Sequence, residues 1–375
     1  MARFFTRERF GEAQVIAGLI LLTFLGQCLW FASQVPLGGG ELAFILQGQH
    51  EWRLGDLSLH EGVSPVTGML AALPLLGSQA SPDTPPASWR WLARLPFMIV
   101  GMLFGASIWY VARRLYGNVA GFIALILYAF SPWFIIHSSM VQPEVIAGWA
   151  AFGIIFTAIG VSHTLYAPRE VVLWNWKRIL LLGVAIGVGC AAQPAIVIVL
   201  PIALGFMWYL VPHRRGAATV ILLAACAVGV VVDWAMYAFH FRSVWQSFGA
   251  LRLFARSYTA PITWAFMLNF FVRQQATVTA LLLISLVTFV VWKRARFFGT
   301  AAPLIVSAVL LLAGIGMSFQ GSSPFYLMLL PFAFVFIAGV LTDLLEREHN
   351  AMALGVVLGV LAGHIFISIS GLLRT

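Results

Sequence analysis

Charge is scarce in this chain. Of its 375 residues only 9% are Asp, Glu, Lys or Arg, against about 25–35% on the surface of a soluble domain, so a water-soluble globular protein is excluded. Cysteine is scarce too. Cys28, Cys190 and Cys226 each lie inside an apolar run, with neither disulfide nor zinc spacing, and read as small apolar fillers. The sequence holds no HExxH pair, no Gly-rich phosphate loop and no GxSxG elbow, which removes the classes in which those spacings position the chemistry. There is no helical repeat of fixed period and no low-complexity tract. Acids are the rarer charge, 13 against 22 Lys and Arg, and the net charge of +9 resembles a nucleic-acid signature. The basic residues instead fall in short clusters between apolar runs. That pattern assigns the excess to topology and to anionic lipid headgroups, with no nucleic-acid partner.

What is abundant is apolar length. Hydrophobic residues make up 61% of the chain and mean hydropathy is +0.94. A run of about 20 apolar residues crosses the hydrocarbon core of a bilayer. On that measure helices are expected at 14–34, 92–112, 119–138, 143–163, 178–192, 194–212, 217–239, 276–292, 301–318, 325–344 and 351–372. The fifth is short and meets the sixth at Gln193-Pro194, as a half-span or a bent pair, so the count is ten to eleven. The fold class is an all-α polytopic membrane protein, one transmembrane domain over 1–375. The opening MARFFTRERFGEAQ precedes a run too long for a signal sequence, so residues 1–13 read as the lead into an uncleaved anchor. Fourteen of the Lys and Arg residues fall on the side of the N-terminus and eight opposite, a bias that puts the N-terminus in the cytoplasm. Two long connections, 35–91 and 240–275, then lie outside and are expected to carry interfacial helices.

Chemistry is therefore sought at the outer face. Glu41 sits behind three glycines in GGGELAF, and Glu144 lies in SPWFIIHSSMVQPEV; both belong at one membrane level and could act as base or cation ligand. Glu144 also follows Pro143, where an acid in the first helical turn favours the dipole. Asp233 falls inside a span, where an ionisable group points to function or to a locked helix pair, with His240 or Arg242 as the expected partner. His137 and His364 have no ligand spacing around them. In HFRSVWQSFGALRLFARSY, Trp245, Phe248, Leu251 and Phe254 recur every three residues. The segment reads either as an interfacial strut or, through Arg252 and Arg256, as a phosphate clamp.

The order of features resembles a known family. An acid follows the first helix, then a long loop ending in SPVTGMLAALPLL. Next come WLARLPFMIVGMLFGASIWYVARRLYGNVAGFIALILYAFSPWFIIHSSMVQPEV and LLLGVAIGVGCAAQPAIVIVLP. Over residues 14–210 this is similar to the GT-C superfamily of membrane glycosyltransferases, in the protein-mannosyltransferase and aminoarabinose-transferase-like branch; beyond that only the helix count agrees. ARLP, ARRLYG and LYAFSP resemble bacterial members and imply a bacterial inner-membrane location. The resemblance implies transfer of a sugar from a polyprenyl-phosphate carrier at the outer face. Its motifs are mostly replaced here. The family's Asp-Glu after the first helix reads Gly40-Glu41, its His-Pro-Pro reads Val63-Ser64-Pro65, and a following Lys aligns with Gly68. An Asp before the fourth helix is Glu144, and a Thr-Lys expected to touch donor phosphate is Ala192-Gln193.

Three readings follow. The favoured one is a non-catalytic pseudoenzyme serving as an accessory subunit that binds membrane lipids and other membrane-protein subunits. The alternative is an active, divergent glycosyltransferase binding polyprenyl phosphate, with Glu41 as base or ligand of a divalent cation, Glu144 in support, and Arg252, Arg256 or Arg273 replacing the lost phosphate contact. The third is a transporter or channel with Asp233 in its path, ranked last because no inverted repeat is visible and intramembrane charges are few.

Overall fold

A computed structural model describes residues 11–54, 64–77, 87–165, 176–249, 265, 268–291, 298–316, 319–348 and 351–373. Every regular element among them is helical: α1 Glu12–Gln34, α2 Gly39–Leu54, α3 Pro65–Ala72, α4 Ala87–Tyr116, α5 Asn118–Ala129, α6 Pro132–Ser138, α7 Glu144–Thr164 and α8 Trp176–Ala192. These are followed by α9 Val199–Leu210, α10 Arg215–Met236, α11 Phe241–Gly249, α12 Ala276–Val291, α13 Phe298–Gly316, α14 Phe319–Glu348 and α15 Ala351–Leu372. Six of the described helices (α1, α4, α7, α10, α14 and α15) contain a stretch long and apolar enough to cross a membrane, and α5 with α6 makes a seventh if that bent pair is counted as one span. Each of the eleven expected spans falls on a helix or a bent pair. The remaining ones, on α8, α9, α12 and α13, are shorter or less strongly apolar.

Two expected boundaries change. The span over 119–138 is broken at Phe130-Ser131 and its halves meet at 65°, because Pro132 lacks the N–H that would continue the ladder and opens α6 as its first residue. The span over 217–239 stops at Met236, and Ala238 and Phe239 turn the chain with φ of 45° and 63°. The expected break at Gln193-Pro194 is present: α8 ends at Ala192 and Pro194 opens a 3-10 turn leading into α9.

Between helices in lipid, close packing replaces the hydrophobic drive as the main attraction. α14 is buried from Phe325 to Thr342, while α15 is largely exposed. Around α14 an aromatic layer joins α4, α5, α6 and α7. Tyr128 lies 4.5 Å from Phe134, and Phe104 5.9 Å from Phe152, which is 5.3 Å from Phe332. Each such pair adds about 0.5–1.5 kcal/mol beyond area burial. Glycine permits the closest crossings. A Cβ on Gly48 of α2 would fall 1.9 Å from the Gly68 carbonyl oxygen of α3, and one on Gly187 of α8 would fall 2.5 Å from that of Gly229 in α10. These crossings clamp α2 to α3 and α8 to α10 at the end of the bundle where the candidate residues gather.

Candidate functional site

Glu41 is not an open carboxylate. It is the third residue of α2, and its Oε2 reaches back to the Gly38 N–H at 3.0 Å, as the acid of a capping box does. Arg94 of α4 grips it on both oxygens, Nε to Oε1 at 2.9 Å and Nη2 to Oε2 at 2.5 Å. The Val141 N–H gives Oε1 a fourth bond at 2.9 Å. A carboxylate has about four lone-pair sites, and all are taken. Arg94 is equally saturated: its Nη1 donates to the carbonyls of Ala32 and Val35 and its Nη2 also to Pro36, satisfying orphan carbonyls where α1 ends. Both side chains are buried. Thus one ion pair ties α1, α2, α4 and the segment before α7. The glycines are not forced by crowding, since a Cβ on Gly39 or Gly40 meets nothing within 4 Å.

Val141 hands the same tie to Glu144, the first residue of α7. Here the acid's Oε2 is buried without a hydrogen-bond partner, as is the Gln142 Oε1. Nearby in sequence, His137 Nδ1 lies 2.8 Å from the Trp133 carbonyl, which places the proton on Nδ1, and its ring packs on Trp133 at a tilt of 38° with centroids 4.4 Å apart. Glu41 and Glu144 are therefore joined through three residues of backbone but differ in kind: one is spent, the other has an oxygen to offer.

The remaining motif positions form a second cluster. Ser64 caps α3, accepting from the Thr67 N–H at 3.4 Å, and its hydroxyl donates 3.1 Å to the Ala191 carbonyl. The His-Pro-Pro position thus sits on the Ala192-Gln193 position. Gly68, at the Lys position, is packed on Gly48 with no room for a side chain. Gln193 is half-buried beside this contact. Ala191 packs on Tyr237, just past α10. Burial pushes the Tyr237 phenol up to about 12, opposed by its hydrogen bond with Ser247 and assisted by Asp233, Cys190 and Glu51 nearby. Asp233 is 5% exposed and its Oδ1 has no hydrogen-bond partner. The expected partners His240 and Arg242 are exposed and do not bond to it.

Of the expected phosphate contacts, Arg273 is exposed in a π-helical turn, Phe270–Gln274, and Arg252 and Arg256 lie outside the described residues. Of the expected interfacial helix, α11 is described; Phe241 and Trp245, four residues apart, are both exposed on it. Among the described residues no three His, Cys, Asp or Glu side chains gather to hold a metal ion, and a cation at Glu41 would have to displace Arg94. Sequence reasoning missed Arg94 as a site residue. Its signal was a lone arginine within the ARLP stretch of an apolar helix, a position that demands a buried acid.

With this geometry in place, comparisons agree on the fold. A profile of the family described as dolichyl-phosphate-mannose-protein mannosyltransferase matches residues 88–238, less than half of the chain. The oligosaccharyltransferase AglB from Archaeoglobus fulgidus, solved with an inhibitory peptide and a dolichol-phosphate, superposes with a TM-score of 0.65 at 14% identity. That match covers 95% of this chain and 56% of AglB. ArnT from Cupriavidus metallidurans, bound to undecaprenyl phosphate, gives a TM-score of 0.66 at 14% identity over 91% of this chain and 62% of ArnT. The chain thus spans under two thirds of either structure. No curated protein matches by sequence. At these identities the likeness establishes the fold: this is a multi-pass membrane protein with the GT-C glycosyltransferase architecture expected from its sequence.

Proposed function

We propose that this chain is a non-catalytic descendant of the glycosyltransferase fold, an accessory subunit of a complex in the bacterial inner membrane with its N-terminus in the cytoplasm. The observation that carries the reading is the saturation of Glu41. Inverting transfer needs a base for the acceptor hydroxyl and positive charge for the departing phosphate. Gly40 offers no base, and Glu41 has no lone pair free while Arg94 holds it. Ser64, Gly68 and Gln193 supply no cation at the positions where the resemblance expects one. Losing a base costs about 10²–10⁴-fold and losing a charge-stabilising donor about 10²–10³-fold. Arg94 and Glu41 then act as structure, fastening four chain segments together.

One observation favours a second reading. The unbonded Oε2 of Glu144 is available as a base, which would make the chain a divergent glycosyltransferase using a polyprenyl-phosphate-linked sugar. Glu41 and Arg94 would then position the segment carrying Glu144, and Arg252, Arg256 and Arg273 would meet the donor phosphate, with or without a divalent cation. The two readings separate in one assay. Purified protein is incubated with polyprenyl-phosphate-sugar extracted from its own membranes, and release of the free polyprenyl phosphate is followed. The expected release is indistinguishable from that of a Glu144→Gln variant. Turnover by the wild type that Glu144→Gln abolishes would sink the first reading.

A further inference from the structure

The cluster around Asp233 has the wrong sign for a phosphate. Asp233 lies in the last turn of α10, where an acid opposes the partial negative charge of the helix C-terminus. The C-terminal end of α8 arrives at the same place, because Ala191 packs on Tyr237 and its carbonyl takes a hydrogen bond from Ser64. Glu51, in the last turn of α2, adds a carboxylate close to Tyr237. Three helix C-termini and two acids thus converge, with one cation, Arg53, sharing the last turn of α2 with Glu51. A helix C-terminus carries roughly half a negative charge, so the region attracts cations.

The second observation is the unpaired oxygen. Asp233 is 5% exposed and its Oδ1 is buried with no hydrogen-bond partner. An orphaned buried acceptor costs free energy that a donor would recover. Among the described residues no three metal-ligating side chains gather, and a hydrogen-bond donor is what a lone buried carboxylate oxygen lacks. The surroundings set its size and source. The site is at the end of a membrane-crossing helix, the level of lipid headgroups. On the same helix end Val231 and Trp234 are exposed, Phe239 packs on Trp234 at 5.2 Å, and Phe241 follows, an aromatic edge of the kind that sits at a membrane interface. Arg242, exposed in the first turn of α11, is available to a phosphate group. An ammonium beside an acid, a phosphate beside an arginine and acyl chains along an apolar edge describe an aminophospholipid.

We propose that Asp233 is the anchor of a subsite for the primary ammonium group of an aminophospholipid, with α2, α8 and α10 supplying the electronegative wall. The proposal stands on this cluster alone and holds whether or not the chain is catalytic. The test uses the full-length wild-type protein in nanodiscs of matched acyl chains, with phosphatidylethanolamine, its N-methyl and N,N-dimethyl derivatives, and phosphatidylcholine as the headgroup series. Lipid retention is read by native mass spectrometry and unfolding by temperature. A charge-assisted hydrogen bond predicts about tenfold stronger retention of phosphatidylethanolamine than phosphatidylcholine. The largest step should come at the third methyl, which removes the last N–H, and Asp233→Asn should erase the preference. Equal retention of the two end members overturns the proposal, as it would if water alone or a partner's side chain satisfies Asp233. So does a preference that survives in Asp233→Asn. Should that variant fail to fold, the methylation series on the wild type decides by itself.

Discussion

Removing either member of the Glu41–Arg94 pair is expected to be more damaging than removing both. Each side chain is buried and each is held by the other and by backbone groups: five donated bonds from Arg94, and four accepted by Glu41, two of them from that arginine. Truncating one partner leaves a charge in low dielectric with its mate gone, at about 3–5 kcal/mol. Arg94→Met strands the Glu41 carboxylate and frees the carbonyls of Ala32, Val35 and Pro36. Glu41→Gln keeps the shape but turns an amide N–H₂ toward donors, where it can accept only at one end. The double variant Glu41→Gln, Arg94→Met removes both charges and should lie closer to wild type than Arg94→Met alone, a coupling of at least about 1 kcal/mol. Thermal unfolding of the four proteins in one mild detergent closes the cycle. Strictly additive shifts, or a harmless Glu41→Gln, would refute the view that Glu41 is a structural clasp.

Other outcomes follow from single contacts. Gly48→Ala puts a Cβ 1.9 Å from a backbone oxygen that cannot move aside, so the α2–α3 pair should loosen at a cost of about 3 kcal/mol, read as a lowered melting temperature. Gly40→Asp adds a carboxylate in open space; stability should change by less than about 0.5 kcal/mol, and a large loss would contradict the geometry around α2. Ser64→Ala removes a helix cap and the bond to Ala191, at about 1 kcal/mol by cap replacement, measured by the same melting assay.

Much of this fold was legible because bilayer thickness fixes span length, and apolar runs near 20 residues announce themselves. What the pattern hid was local. Ser131-Pro132 sits in a run that is apolar on both sides, and only the missing N–H of Pro132 turns it into a 65° break. The chain end of α10 was read three residues too long because Tyr237, Ala238 and Phe239 continue the apolar composition while the backbone turns left-handed. The candidate site was half visible. Glu41 could be singled out by position, but its partner lies 53 residues away on another helix, and a pairing at that distance leaves no periodic trace. Asp233 was flagged by depth in the membrane, yet the neighbours named for it were those next in sequence. In the structure it lies instead near Cys190 of α8, a helix that crosses α10 closely at Gly187 and Gly229.

The central claim, that the fold survives here without its transfer chemistry, is tested most directly by native mass spectrometry of the protein extracted mildly from its own membranes. The account predicts subunits bound in fixed ratio, with phospholipid and no polyprenyl-phosphate adduct. A solitary chain carrying a polyprenyl-phosphate mass would contradict it.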